Sequence, residues 1–257
     1  MTDHLYFFSA NSYVYASRKD DFPATSRPHA VLLFSVDGTP LTLRTPRGQF
    51  VGGAIAVAPQ TVRTLSMSTA GLVSINLPPS SPFFSAFSSI VPPGAHVLER
   101  KAFRLFDGFL AGMHEGARKP AQAEEIFHDL VTTAVEQLPR AQRIDTRVLE
   151  VLRYLDEAPE ATLVELARAF ELSPHRMSHL ISDSLGLSFR AYQAWRKQVR
   201  VCKLLYSGRS LTDIAHEAGL SDSAHLSHFY RHWYGQSPSY SRDRESVKFF
   251  SLSLIHI

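Results

Sequence analysis

Short apolar or alternating runs recur through the first ninety residues. Turn-forming pairs such as Asp37-Gly38 and Ala70-Gly71 separate them. Runs of this length and spacing are typical of strands in a β-sandwich or small barrel rather than of βαβ units. The pattern predicts strands at residues 29–36, 39–45, 52–58, 61–67 and 71–77.

The hydrophobic period becomes helical between residues 103 and 138, with a break near 116–120. Within residues 121–138 an apolar position recurs every four residues, at Ile126, Leu130, Ala134 and Leu138. This spacing predicts an amphipathic helix that packs either on its own domain or on a partner subunit, the former being commoner. Pro139 ends the pattern, and residues 140–146 form a polar linker.

The C-terminal region repeats itself. Five residues match five others at a constant offset of 48: Leu163, Leu166, Ala167, Leu172 and Ser173 correspond to Leu211, Ile214, Ala215, Leu220 and Ser221. After a one-residue insertion, residues 177–181 match residues 226–230, and Gly186 and Ser188 match Gly235 and Ser237. We call residues 162–188 the first unit and residues 210–237 the second unit.

Each unit has the pattern of a helix-turn-helix. Thr162 and Ser210 are predicted to cap the first helices, whose apolar residues recur at helical spacing. In the second unit the turn contains Gly219, which adopts a positive φ at little cost, and Ser221 is predicted to cap the helix that follows. Ser173-Pro174 has the same place in the first unit. Such a turn sets two helices at a steep angle, which lays the second helix into a major groove.

A long helix is predicted between the units, over residues 189–206. Its apolar stripe is Phe189, Tyr192, Trp195, Val199, Cys202 and Tyr206. The stretch between Asp183 and Asp213 contains no acidic residue and six basic ones: Arg190, Arg196, Lys197, Arg200, Lys203 and Arg209. The net charge is only +3, but a local basic stretch of this kind can contact phosphates. A rigid helix between two reading units fixes their separation, which on B-DNA has to match one turn of about 34 Å.

Residues 147–244 resemble the AraC/XylS family of bacterial transcription regulators. The second unit carries the family signature as SLTDIAHEAGLSDSAHLSHFYRHWYGQSPSYSR over residues 210–242. The resemblance implies that the second helix of each unit reads bases in the major groove. By position, the base-reading residues would be His175, Ser178 and His179 in the first unit, and Ser223, Ala224, Ser227 and His228 in the second. The residues expected to contact phosphates are Arg176, Arg190, Lys197, Arg200, Arg209 and Arg231.

Two positions depart from the family pattern. Arginine is common where this chain has His179 and His228. Arginine contacts guanine through two hydrogen bonds and histidine through one at a time, so base reading is predicted to be weaker or directed at another base; the alternative is that both are merely exposed polar residues. Glu171 stands where the second unit has Gly219, which costs about 1 kcal/mol if φ is positive.

The resemblance also implies an N-terminal cupin-like β-barrel that binds a small effector, followed by helices that dimerise. We therefore expect an α+β multidomain chain: a cupin-like effector domain at 1–96, a helical dimerisation or packing region at 97–139, a linker at 140–146, an all-α double helix-turn-helix domain at 147–245 and a tail at 246–257. The tail fits neither domain; it is an unrelated tail, a misread end of the frame or a packing strand.

The effector is not identified by the sequence. Aromatic residues are frequent early in the chain and either line a pocket or, more commonly for such residues, pack in the core: Tyr6, Phe7, Phe8, Tyr13, Tyr15, Phe22, Phe34 and Phe50. Arg44, Arg47 and Arg63 are candidates to hold a carboxylate, although exposed charges on strands are common. His29 and His96 are too few for a metal site, and we expect no metal and no cofactor.

Composition narrows the function classes. The lone cysteine, Cys202, excludes an internal disulfide or a cysteine-based zinc cluster, and the first residues lack the pattern of a secretion signal. We expect a non-enzymatic regulator, most simply an activator, in the bacterial cytoplasm at the nucleoid. Its expected partners are double-stranded promoter DNA, RNA polymerase, a small effector and a second copy, but no membrane. The alternatives are a cupin-type enzyme fused to a DNA-binding module and a DNA-repair relative that takes alkyl groups on cysteine.

Overall fold

The computed structural model describes residues 2–7, 12–68, 71–90, 94–117, 123–139 and 145–251. The strands are β1 Asp3–Phe7, β2 Tyr13–Ser17, β3 Asp21–Thr25, β4 Ala30–Ser35, β5 Leu41–Thr45, β6 Gly48–Gly52, β7 Ala54–Val57, β8 Arg63–Met67, β9 Leu72–Leu77, β10 Ala95–Val97 and β11 Val247–Ser251. The α-helices are α1 Asp107–Glu115, α2 Ala123–Val135, α3 Arg147–Glu157, α4 Leu163–Ala169, α5 Pro174–Leu185, α6 Phe189–Leu204, α7 Leu211–Glu217, α8 Ser223–Tyr234 and α9 Pro238–Arg242. Two 3₁₀ segments, Phe84–Ser89 and Arg100–Phe106, precede α1.

The described strands form two separate sheets. The larger has seven strands in the order β10-β7-β4-β9-β2-β1-β11, and the smaller has four in the order β3-β8-β5-β6. Every pairing is antiparallel except that of β1 with β11. The predicted closed barrel is therefore wrong, because the two sheets keep open edges, and a cupin-like fold is not confirmed.

The larger sheet is the middle of three layers. β4 is buried on both faces, since its alternate side chains point to opposite sides of the sheet. Val31 and Leu33 pack against Leu41, Leu43 and Leu65 of the smaller sheet. On the other face, β4 and β9 contribute to a core shared with the 3₁₀ segments, α1, α2 and the first unit.

The five predicted strands are present as β4, β5, β7, β8 and β9. The sequence did not predict β1, β2 and β3 in the aromatic-rich start, because their apolar residues do not alternate as cleanly. Residues 247–251, within the predicted tail, form β11 in register with β1 from Asp3–Val247 to Phe7–Ser251. Residues 252–257 and Phe8 lie outside the described residues.

The helical region over 97–139 consists of a 3₁₀ segment, α1 and α2. α1 ends at Gly116, whose φ of 88° closes the helix, and residues 118–122 lie outside the described residues. The α2 stripe, with Phe127, Leu130 and Ala134, is buried in the shared core of this chain. No helix in the described part of the chain is long and apolar enough to cross a membrane.

Candidate nucleic-acid interface and interdomain cavity

The caps of the first helices explain where each unit begins. The Thr162 side chain accepts a hydrogen bond from the Glu165 backbone N–H at 3.2 Å, and the Glu165 carboxylate accepts one in return from the Thr162 N–H at 2.8 Å. In the second unit, Ser210 Oγ accepts from the Asp213 N–H at 3.1 Å. Both predicted caps are confirmed, and each satisfies an N–H group that the helix leaves free.

The second helices are capped differently from each other. Ser173 Oγ accepts from the Arg176 N–H at 3.2 Å, with proline in the first turn, as predicted. In the second unit the prediction of Ser221 is wrong, because the inserted residue moves the cap to Asp222, whose carboxylate accepts from the His225 N–H at 2.7 Å. That bond lowers the pKa of Asp222. Ser221 instead donates to Asp222.

The turns of the two units share one backbone conformation. Gly219 has a φ of 72° and Glu171, at the matching position, has a φ of 54°. The left-handed region costs a side-chain-bearing residue about 1 kcal/mol. The first unit therefore has the same turn as the second, at a higher conformational cost.

The candidate base-reading residues lie on the N-terminal halves of α5 and α8. The exposed ones are His175, His179, Ala224 and His228, and the half-buried ones are Ser178, Ser223 and Ser227. In the first unit the His175 and His179 rings lie 4.5 Å apart, and His179 Nδ1 lies 3.9 Å from an Asp183 carboxylate oxygen. The role of these seven residues in base reading stays a prediction.

The six candidate phosphate ligands divide into two groups of three. Arg176, Arg190 and Arg231 are exposed, and none has a carboxylate within 4.0 Å among the described residues. The other three already have partners within the chain: Lys197 donates to the Gly219 carbonyl at 2.8 Å, Arg200 pairs with Glu160 at 2.9 Å and Arg209 pairs with Glu217. To contact a phosphate, each of those three side chains would have to give up its partner within the chain.

Both second helices contact the N-terminal region at equivalent glycines. A Cβ added at Gly186, after α5, would lie 3.5 Å from the Ser88 Cβ atom. One added at Gly235, after α8, would lie 2.9 Å from the Pro23 Cγ atom. The C-terminal ends of α5 and α8 are thus held by the N-terminal region, and their N-terminal halves face outwards.

A cavity of about 330 Å³ lies between the sheets and the C-terminal helices. The N-terminal region lines it with Leu5, Phe7, Tyr13, Tyr15, Phe22, Pro23, Thr25, Arg27, His29, Leu33, Arg63, Leu65, Leu72 and Ser74. The C-terminal region adds Gln198, Val199, Cys202, Lys203, Leu205, Tyr206, Tyr230, Tyr234 and Ser241. Most of this wall is aliphatic or aromatic, so the cavity suits a largely apolar ligand.

Two arginines bring positive charge to the cavity. Arg27 donates to the Asn76 side-chain oxygen at 2.9 Å and to the Tyr13 hydroxyl at 3.3 Å, and the buried Arg63 donates to the Thr61 carbonyl at 2.9 Å. Among the described residues, neither has a carboxylate within 4.0 Å. Burial lowers the pKa of Arg63 well below its ordinary value.

The same cavity holds polar atoms that have no partner. Arg27 Nε, His29 Nδ1 and Gln198 Oε1 are buried without a hydrogen bond in the described part of the chain. Burial, and then the charges of Arg27 and Arg63, lower the pKa of His29 to about 3. Burial raises the pKa of Cys202 to about 11, which keeps it an unreactive thiol, as expected of a structural cysteine.

Sequence reasoning found only part of this cavity. Arg63 was one of three arginine candidates, whereas Arg44 and Arg47 are exposed. Of the early aromatic residues, Phe7, Tyr13, Tyr15 and Phe22 line the cavity, Tyr6 and Phe34 are buried in the core and Phe50 packs between the sheets. Arg27, His29 and Gln198 were missed, since no local pattern marks residues that meet only after folding.

Known proteins resemble the chain most clearly in its C-terminal region. A family model described as a helix-turn-helix domain matches residues 166–244. The Arabinose operon regulatory protein of Escherichia coli (strain K12) is 27% identical over 138 residues, which cover 50% of this chain and 46% of that protein. The Thermoregulatory protein LcrF of Yersinia pestis is 30% identical over 112 residues, which cover 38% of this chain and 41% of that protein. The chain spans less than half the length of these two relatives.

Solved structures share the whole fold. The crystal structure of ToxT from Vibrio cholerae O395 matches with a TM-score of 0.56 at 14% identity, over 89% of this chain and 95% of that chain. Wild-type ToxT from strain SCE256, crystallised with an unsaturated fatty acid, matches with a TM-score of 0.55 at 12% identity, over 89% of this chain and 92% of that chain. The twin units, the matched helix-turn-helix model and the two relatives support the resemblance of the C-terminal region to the AraC/XylS family of transcription regulators, and ToxT shares the fold of the chain.

Proposed function

We propose that this protein is a sequence-specific regulator that binds double-stranded promoter DNA through both helix-turn-helix units. The observation that carries the proposal is the matched presentation of α5 and α8. Each is capped, each follows a left-handed turn, and each is held at its C-terminal end while its N-terminal half is exposed. This is the presentation that a helix needs to enter a major groove.

We further propose that a small effector in the cavity controls DNA binding, since the cavity contacts both the sheets and the helix that joins the two units. The uncompensated Arg27 and Arg63 favour an anion, and the walls favour an apolar body. A monocarboxylate with an apolar chain or ring system satisfies both. ToxT has been crystallised with an unsaturated fatty acid and with (E)-4-(8-methylnaphthalen-1-yl)but-3-enoic acid, and both have this composition.

The family resemblance favours an activator that contacts RNA polymerase once it is bound to its promoter. A homodimer would use another surface than the α2 stripe, because that stripe is already buried within the chain. Both points depend on promoter binding, which is therefore the property to measure first.

The test is selection of randomised duplexes with the full-length protein, followed by titration of the selected duplex at several salt concentrations. We expect two conserved blocks about one helical turn apart. A plot of log affinity against log salt should have a slope of about −5 if all six basic residues meet phosphates, and about −3 if only the three unpaired arginines do. Enrichment of no sequence, with a slope near zero, would overturn the proposal.

A further inference from the structure

A partly buried polar cluster joins the larger sheet to the end of the C-terminal domain. Its centre is the buried Asp3 carboxylate on β1. One carboxylate oxygen accepts from the Ser17 hydroxyl at 2.7 Å, and the other accepts from the Tyr15 hydroxyl at 2.5 Å and the Tyr240 hydroxyl at 2.9 Å. Lys19 Nζ lies 3.4 Å from the same carboxylate. We call these five residues the latch.

The latch reaches the helices that carry the second unit. Tyr240 lies on α9, which directly follows the second unit, and its ring lies 4.3 Å from Lys19 Nζ. Gln236, two residues after the end of α8, donates to the Tyr15 hydroxyl at 2.8 Å. The Tyr206 hydroxyl, just beyond α6, donates to the carbonyl of Ser241 on α9 at 3.2 Å. The latch thus connects the sheet to the ends of α6 and α8.

The two units are attached to the N-terminal region by different forces. In the first unit, Met177, Ile181 and Leu185 belong to the apolar core that also contains Phe84 and Phe87 of the 3₁₀ segment. Separating them would expose a continuous apolar core, which is costly. The second unit has a core of its own, and it adds to the shared core the buried Trp233, with the half-buried Phe229 and Tyr234 packed against that core.

The cavity weakens apolar packing at the second unit. Its wall includes Gln198, Cys202 and Tyr206, so part of the C-terminal half of α6 borders space, while Val201 packs in the core of the second unit. Atoms that line a void lose dispersion contacts on that side. Polar contacts at the far end of α6 therefore carry more of the attachment there than they do at the first unit.

We propose that Asp3 and Tyr240 are positioning residues for DNA reading, although neither lies on a recognition helix. Their contact fixes the outer end of α6 and, with it, the angle of α8 relative to α5. Because each added base pair rotates the second half-site by about one tenth of a turn, that angle sets which half-site spacing the protein accepts. The predicted effect on half-site spacing rests on the proposed DNA binding, whereas the latch itself does not.

The latch is tested without DNA by distances between spin labels in the full-length protein. Every variant carries Cys202→Ser. One pair of labels, at Lys101→Cys and Thr212→Cys, measures the distance from the N-terminal region to the second unit. Another pair, at Lys101→Cys and Ala169→Cys, measures the distance to the first unit, and all three positions are exposed. We expect Tyr240→Phe to broaden only the distance distribution of the second unit. The control Tyr154→Phe, on α3 just before the first unit, should broaden neither distribution. No change with Tyr240→Phe, or equal broadening at both units, would overturn the latch.

The consequence in spacing is tested on a duplex selected by the unmodified protein. Insertion of one base pair between the half-sites should lower the affinity of the unmodified protein by about tenfold and that of Tyr240→Phe by clearly less. Equal losses in both proteins would refute the positioning role. If no duplex is bound at all, the proposed function fails, while the label distances still decide whether the latch holds the second unit. Asp3→Asn is the stronger variant, and Tyr240→Phe serves alone if Asp3→Asn does not fold.

Discussion

Glu171 and Gly219 occupy the same position in the two units and share a left-handed backbone, with φ of 54° and 72°. The family pattern has glycine there, and the second unit follows it. The first unit keeps the turn with a glutamate and accepts the strain. The turn geometry is therefore imposed by the packing of the two helices and not by the residue in the turn.

This relationship predicts opposite effects of substitution at the two turns. Gly219→Ala should lower the free energy of unfolding by about 1 kcal/mol, because a Cβ is disfavoured at this φ even though its nearest contact, Lys197 Nζ at 3.6 Å, is an ordinary one. Glu171→Gly should raise the free energy of unfolding by up to about 1 kcal/mol. The gain is reduced by the greater conformational entropy that glycine gives the unfolded chain. Urea unfolding measures both. The control is Gly108→Ala on α1, where an added Cβ would meet no atom within 4 Å and alanine should stabilise the protein. Destabilisation by all three substitutions would contradict the strained turn at Glu171.

A second prediction concerns base reading by the second unit. His228 is exposed on α8, the proposed reading helix, whereas His216 is exposed on α7, which we expect to stay outside the groove. His228→Ala should relax the preference at one base position of the selected duplex and cost about 0.5–1.5 kcal/mol there, the net value of one hydrogen bond. His216→Ala is the matched control and should leave every base preference intact. Repeating the selection with each variant measures this, and an unchanged base profile for His228→Ala would remove it from the reading set.

Phosphate contacts should respond to substitution without regard to sequence. Arg176 is exposed near the start of α5, so Arg176→Ala should weaken binding to all duplexes alike and reduce the salt slope by about 1. Arg104→Ala, at an exposed position of the N-terminal region, provides the control and should change neither. Arg200→Ala should have a smaller effect than Arg176→Ala, since Arg200 already pairs with Glu160. A sequence-dependent loss with Arg176→Ala would show that it reads a base instead.

The sequence predicted the twin units because their information is local. Caps such as Thr162 and Ser173, and turn residues such as Gly219, act within three or four residues of themselves, so spacing reveals them. The one cap assigned wrongly, Ser221 in place of Asp222, lies where the second unit carries an extra residue.

The cavity and the latch were not predictable for the opposite reason. Asp3 and Tyr240 are separated by 237 residues and meet through tertiary packing alone. Arg27 has no sequence signal, because a half-buried arginine without a carboxylate resembles an exposed one until the fold is known. The strand pattern predicted a sandwich or a small barrel and left both open, because short strands with turns fit open and closed sheets equally well; the barrel that the resemblance implied was the wrong choice.

The buried His29 makes stability depend on pH. Its folded pKa of about 3 lies below the unfolded value of 6.5, so the unfolded chain binds the proton more tightly. Folding is therefore unaffected above about pH 6.5 and loses stability as pH falls from 6.5 towards 3, by about 2 kcal/mol at pH 5. His29→Gln should flatten the difference in unfolding free energy between pH 7 and pH 5 by that amount. His216→Gln, at an exposed ring, is the control, and an equally steep loss in His29→Gln would contradict the burial of a neutral ring.

Arg63 should decide between ligands by their head group. In the full-length protein, oleate and oleyl alcohol share a chain but differ in charge, and only the carboxylate can compensate the buried guanidinium. Arg63→Met should lower the affinity for oleate at least about tenfold, because a charged hydrogen bond contributes about 1.5–3 kcal/mol. The affinity for oleyl alcohol should stay nearly unchanged.

Removal of an uncompensated buried charge should also stabilise the ligand-free Arg63→Met protein, which a thermal melt would show. Arg44→Met, at an exposed site on β5, is the matched control and should change the affinity for neither ligand. Titration calorimetry measures the six affinities of the three proteins for the two ligands. If Arg63→Met lowered the affinities for oleate and oleyl alcohol equally, the arginine would only shape the cavity. That result would refute the proposal of an anionic effector but would leave the proposal of DNA binding unaffected.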